Sequence, residues 1–148
     1  MKAKEYLQQI EKLDKLIENK IAEKEHWKSV ATSTTTFSEG DRVQSSGSKQ
    51  KMADAVCRYL QMEEEINAAI DRLIDLRQEV ISTIEQLPSV DEYDVLHKVY
   101  VQFLTLQEVG SLKDRSYSWA TTIHGTGLKH LQNILDEREG VINGCKRS

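Results

Sequence analysis

Between Met52 and Leu87 the apolar residues Met52, Val56, Tyr59, Ile66, Ile70, Leu73, Val80, Ile84 and Leu87 follow a three–four alternation. That period specifies an amphipathic helix. Glu63 and Arg77 interrupt the seam, while Leu60, Ile74, Leu76 and Ile81 make it broader than a two-stranded coiled coil requires. A helix near forty residues is about 60 Å long, well beyond the ordinary globular length. It cannot bury its stripe against itself. Ser48 is a candidate N-cap for it. Pro88, the one proline in the chain, ends it, because the residue before a proline is biased away from the helical region.

A shorter helix precedes it. From Lys2 to about Val30, Tyr6, Leu7, Ile10, Leu13, Ile17 and Ile21 recur at helical spacing, and the stripe resumes at Trp27 and Val30. This helix, roughly 40 Å long, covers only part of its longer neighbour. The remaining apolar length needs the C-terminal helices or a second copy of the chain, so a homodimer is expected. Residues 32–50 are rich in Thr, Ser and Gly. They read as a mobile connector or as a binding loop, since a simple helical hairpin needs far fewer residues. Arg42 beside Ser45, Ser46 and Gly47 could meet phosphate or a partner, but the role of Gly40–Lys51 stays open. Residues 1–87 thus predict an antiparallel, coiled-coil-like arm.

After Pro88 the signals come closer together. Ser89 and Glu92 have capping-box spacing and open a support helix expected to run to Phe103. Thr105 and Glu108 repeat that spacing, and Leu106, Val109 and Leu112 make about two turns of apolar helix. Lys113-Asp114-Arg115 breaks the pattern, and Ser116 is a good N-cap for a last helix. There Ala120, Ile123, Gly127, Leu128, Leu131 and Leu135 share one stripe, with Tyr117, Ser118, Thr121 and Thr122 off it. Two helices joined by a tight turn, with polar residues opening the second, form the geometry of a helix-turn-helix reader. Residues 88–139 are therefore expected as a three-helix unit and 140–148 as a flexible tail.

The residues Thr105–Leu131 resemble the promoter-binding helix-turn-helix of region 4 of bacterial sigma factors. TLQEVG follows that family's T-L-x-E-[VI]-[GA] opening, and Ser116 stands where its recognition helix begins. Ile123 and Leu128-Lys129-x-Leu131 follow its I-x-x-x-A-L-[RK]-x-L ending. From KEYLQQI through GDRVQSSGSKQKMAD to the end of this helix, the chain resembles small sigma-like proteins encoded by phages and prophages of Gram-positive bacteria. The resemblance implies a transcription regulator in the bacterial cytoplasm that binds promoter DNA, host RNA polymerase, or both. It places Lys113, Arg115 and Lys129 against phosphates, and Ser116, Tyr117, Ser118, Thr121 and Thr122 toward base edges and backbone, with Trp119 on the DNA backbone or sugar, against the support helix, or on a protein partner.

This chain departs from the family pattern in three ways. Sigma recognition helices usually present several charged side chains, where this one offers mostly hydroxyls and aromatics. Lys113 and Arg115 stand where the family turn buries apolar residues. Gly125 and Gly127 lie inside the helix, each costing up to about 1 kcal/mol relative to Ala, and only Gly127 falls on the buried stripe. The net charge of −4 points the same way: Ser89–Glu139 carries five basic against eight acidic residues. Binding to DNA is expected to be weak without a partner, because Lys and Arg contacts to phosphate supply much of such affinity.

Other classes are disfavoured. No apolar run approaches the roughly 20 residues that span a bilayer, and the N-terminus has no signal-peptide pattern. Cys57 and Cys145 lack metal or redox spacing, which fits a reduced compartment. His26, His97, His124 and His130 make no metal-spaced pair and read as surface residues, while Glu63-Glu64-Glu65 reads as a solvated face. No catalytic triad or glycine-rich phosphate loop is visible, so neither an enzyme, a metal, a cofactor nor a small-molecule substrate is expected. The competing reading is a helical interaction module that binds and inhibits or redirects a host or mobile-element protein without binding DNA alone.

Overall fold

The computed structural model describes residues 1–36 and 46–142. Among the described residues the chain is all-α, with no strand. Helix α1 is Ala3–Thr36, α2 Ser46–Ile84, α3 Val90–Leu96, α4 Leu106–Leu112 and α5 Tyr117–Ile142. A π-helical segment, His97–Val101, continues α3. The first two helices pack against each other as an antiparallel hairpin.

Helix α1 runs further than its sequence signals suggest, and α2 is shifted toward the N-terminus. Helix α1 continues six residues past Val30, α2 starts at Ser46 rather than after Ser48, and α2 stops at Ile84, short of Leu87. The connector expected at 32–50 is correspondingly shorter. Its middle, including Arg42 and the half of Gly40–Lys51 that precedes α2, falls outside the described residues, as do residues 143–148 of the expected tail.

Packing divides the chain inside the long helices, whereas Pro88 marks only the passage from α2 to α3. One compact unit is Leu13–Leu73; the other is Met1–Lys12 with Ile74–Ser148. Within the first, Lys20 pairs with Glu65 at 3.6 Å, Lys24 with Glu63 at 4.0 Å, and the Arg58 guanidinium lies over the Trp27 ring at 5.7 Å. These pairs fix the antiparallel register. Its buried seam differs from the expected stripe. Ile17 on α1 and Ala55, Met62, Ile66 and Ala69 on α2 are buried, whereas Val56, Leu60 and Ile70 are exposed. Two alanines let the backbones approach closely, and dense packing of short side chains decides the seam against the bulkier row.

In the second unit, Tyr6, Leu7, Ile10, Val80, Ile84, Val95, Leu96, Val109, Ala120 and Leu131 form the core. The buried Thr83 hydroxyl is fully used: Thr83 Oγ1 donates to the Glu79 carbonyl at 2.8 Å and receives Arg138 at 2.9 Å, with the Tyr6 hydroxyl at 3.0 Å. The start of the chain is tied to α5 by Gln132, which accepts from Ala3 N at 2.7 Å and donates to Met1 O at 3.2 Å.

The support helix is not one regular helix to Phe103. The α3 ladder gives way to the π segment, closed by Gln102 N donating to His97 O and Leu104 N to Lys98 O. Phe103 there adopts φ 60°, a left-handed backbone that a bulky residue rarely takes. The Ser89 cap also forms only in part. Glu92 N donates to Ser89 Oγ at 3.5 Å, but the Glu92 carboxylate turns inward to His130 instead of back to the cap.

Candidate nucleic-acid interface

Helix α4 begins at a side-chain N-cap. Thr105 is extended (φ −79°, ψ 159°), and its Oγ1 accepts from Glu108 N at 3.2 Å. The hydroxyl also donates to Glu108 Oε1 at 3.1 Å, so the Glu closes on the Thr side chain rather than its amide. Helix α4 seats Val109 and Gly110 inward against α5.

The turn that follows is closed by backbone hydrogen bonds. Asp114 takes φ 55°, Asp114 N donates to Ser111 O at 3.2 Å, and Arg115 N donates to Gly110 O at 2.8 Å. These are the two hydrogen bonds of a Schellman motif, here closed by Asp rather than Gly. A Cβ on residue 110 would sit 3.0 Å from Arg115 O and 3.2 Å from Ser116 O, so only glycine lets the turn pass this close. Ser116 Oγ then accepts from Trp119 N at 3.0 Å, which makes it the N-cap of α5.

The nine residues expected to meet DNA do not stand alike. Tyr117 is 60% exposed, and Arg115, Ser116, Ser118, Thr121, Thr122 and Lys129 are exposed as well. At 100° per residue, Ser118, Thr122 and Lys129 fall on the side of α5 opposite the buried Ala120, Gly127 and Leu131, while Tyr117 and Thr121 lie toward the edge that carries Leu135, exposed because they stand at the helix start. Thr121 Oγ1 donates to Tyr117 O and Thr122 Oγ1 to Ser118 O, both at 2.9 Å. Their hydroxyl protons are thereby used inside the helix, leaving oxygen lone pairs for a ligand's donors. Trp119 is half-buried, with the Arg115 guanidinium over its ring at 5.3 Å. The two make a flat cationic edge at the helix start.

Lys113 is placed differently. Its ammonium is hydrogen-bonded to Asp94 Oδ2 on α3, while Lys98 Nζ holds Oδ1 of the same carboxylate at 2.6 Å. Burial alone would raise the Asp94 pKa; the two lysine hydrogen bonds outweigh it and hold the group below the usual carboxylate range. Lys113 thus clamps the turn to α3, and the exposed cations of this face are Arg115 and Lys129.

Two histidines expected at the surface instead brace α5 from behind. His124 Nε2 lies 2.8 Å from the Tyr100 hydroxyl, with the rings stacked at 5.7 Å. Burial, assisted by Lys4, pushes the His124 pKa below the ordinary 6.5. The ring's tautomer sets which of the two atoms donates in this bond. His130 Nδ1 meets both carboxylate oxygens of the buried Glu92 at 2.8 and 2.9 Å. The sequence signal was present: His124 stands four residues from both Ala120 and Leu128 and three from Gly127, at the rim of the buried stripe. Gly127 is packed, since a Cβ there would meet Leu96 at 3.3 Å, whereas a Cβ at Gly125 would meet nothing within 4 Å.

A shallow groove of about 380 Å³ opens beside this brace, lined by Lys4, Gln8, Tyr100, Phe103, Leu104 and His124 among others. No group of three or more His, Cys, Asp or Glu among the described residues could hold a metal. None of the described helices is long and apolar enough to cross a membrane. Comparison with protein-family models, with curated proteins and with solved structures gives no match to this chain.

Proposed function

We propose that the chain is a sigma-like transcriptional regulator of phage type that reads promoter DNA through α5, alone or on host RNA polymerase. The observation that carries this reading is the exposed side of α5. A capped helix start, a rigid turn and a row of short polar side chains leave the first two turns open to a groove, while the opposite side is anchored. Ser118, Thr121 and Thr122 suit contacts to base edges and backbone, and Arg115 and Lys129 suit flanking phosphates. Tyr117 adds an aromatic surface at the helix tip.

Gel-shift and anisotropy measurements at low and moderate salt, with and without polymerase, test it against a Tyr117→Ala/Thr121→Ala variant. Wild-type binding that the variant loses is the expected result. Absence of binding by the wild type under every condition removes the proposal.

A specific observation favours a second reading, a protein-binding module. Only two exposed cations serve the face, because Asp94 holds Lys113, while Tyr117 and the half-exposed Trp119 are residue types enriched at protein interfaces. Capture of a non-polymerase protein that protects this face from hydrogen exchange, without DNA binding, selects this second reading.

A further inference from the structure

The arm leaves an ordered apolar row uncovered. Val56, Leu60, Ile70 and Ile74 are 43%, 53%, 37% and 49% exposed, and successive positions Val56, Leu60, Glu63, Asn67, Ile70 and Ile74 lie within about 80° around α2. Scattered exposed apolar residues need no explanation, but two aliphatic pairs aligned on one helix face do. Its order has a property that identifies the occupant. Read from either end, the row gives the same steps of four and three residues and the same chemistry: aliphatic, aliphatic, polar, polar, aliphatic, aliphatic.

A two-fold interface is isologous: the residue that one copy offers at one end must find its partner at the other. An antiparallel pairing of two α2 rows about their midpoint sets Val56 against Ile74, Leu60 against Ile70, and Glu63 against Asn67 of the second copy. The polar pair is complementary, since a carboxylate accepts what a carboxamide donates. Glu63 is already oriented by Lys24 at 4.0 Å.

Helix α1 obeys the same symmetry. Lys28 and Thr32 line an apolar groove with Val56, Tyr59 and Leu60, which places them on the face that bears the row. Ile21, two turns before Lys28 and 44% exposed, shares that face and lies opposite the middle of the row by the Lys20–Glu65 register. Asp14 and Lys28 stand seven residues on either side of Ile21. Antiparallel pairing sets Ile21 against Ile21 and each Asp14 against Lys28 of the other copy. Glu18 and Glu25 fall at the rim, where water screens them.

We propose that this face of the arm binds a second copy of the chain, antiparallel, to form a four-helix dimer. The row is about 27 Å long and two helices present about 20 Å across, giving roughly 500 Å² per copy, the lower limit of a specific interface. Such an area fits association at micromolar rather than nanomolar concentration. The proposal stands apart from DNA reading, which can fail without affecting it.

Sedimentation equilibrium of the full chain over roughly 1 to 100 µM tests the assembly. A reversible dimer is expected, and Leu60→Glu/Ile70→Glu should raise its dissociation constant at least about a hundredfold with helicity unchanged. Cross-linking tests the direction in a Cys57→Ser/Cys145→Ser background. Chains carrying both Leu60→Cys and Ile70→Cys should form disulfide dimers on oxidation, and chains carrying Leu60→Cys alone should not. A monomer throughout the range leaves the face to another occupant and overturns the proposal. So does a dimer indifferent to the glutamates, or efficient cross-linking by Leu60→Cys alone.

Discussion

Gly110 and Gly125 lie in helices only fifteen residues apart, yet the structure assigns them opposite roles. At Gly110 an added methyl runs into the carbonyls of Arg115 and Ser116, neither of which can move without opening the turn. Gly110→Ala should therefore destabilise the protein by about 1–3 kcal/mol, as overpacking against backbone does, seen as a lowered urea midpoint. At Gly125 the space is open. Gly125→Ala should raise the midpoint, gaining up to about 1 kcal/mol of helix propensity. Because Gly125 shares the exposed side of α5, the same methyl should weaken DNA binding if a groove edge comes that close, and anisotropy on the one variant reads both effects.

His124 adds a pH dependence at the same scale. Burial, with a contribution from Lys4, holds its pKa below 6.5, so the unfolded chain takes up the proton more readily. The stability it contributes is complete above 6.5 and is lost as pH falls through the folded value. His97, lowered by burial and then by Lys98 and Arg77, acts in the same direction. Urea midpoints should fall between about pH 7.5 and about pH 5.5, and His124→Gln should reduce that difference. A variant with an unchanged difference would show that the Tyr100–His124 brace contributes nothing to it.

At the scale of elements, α4 and the π segment end in the same way, each through a left-handed residue that is not glycine. Asp114 serves α4 and Phe103 the π segment. Aspartate tolerates this backbone better than most residues, but glycine adopts it without a Cβ conflict. Asp114 forms the turn by backbone geometry, so Asp114→Gly should stabilise it by about 1 kcal/mol in urea titration. The capping residues of these short elements were legible from the chain alone. Ser89, Thr105 and Ser116 were read as helix starts, and each accepts from an amide three residues on. The π segment was not legible. It buries Tyr100 and Val101, and no local preference in HKVYV marks it.

Across the whole molecule the decisive quantity is charge that remains available. Ser89–Glu139 holds five basic residues, but Lys98 and Lys113 are committed to Asp94 and Arg138 to Thr83. If α5 binds DNA as proposed, two phosphate contacts per copy, from Arg115 and Lys129, should give a log–log salt slope near −2 for each chain bound to duplex. A much steeper slope, measured by anisotropy between low and moderate salt, would mean that cations elsewhere carry the binding.

What sequence alone determined is whatever residues within about four positions of one another decide. Helical period, the three N-caps and the buried stripe of α5 all depend on a repeat of 3.6 residues and on side chains reaching their own backbone. Which of two competing rows on α2 is buried was left to tertiary structure. Both rows have the same period, and only α1, drawn close over Ala55 and Ala69, chooses between them. Tertiary structure also decided that Lys113 faces Asp94 and that His124 and His130 brace α5. Those partners lie nineteen or more residues apart, and a charged or polar group is claimed by whichever complement the packed core brings beside it.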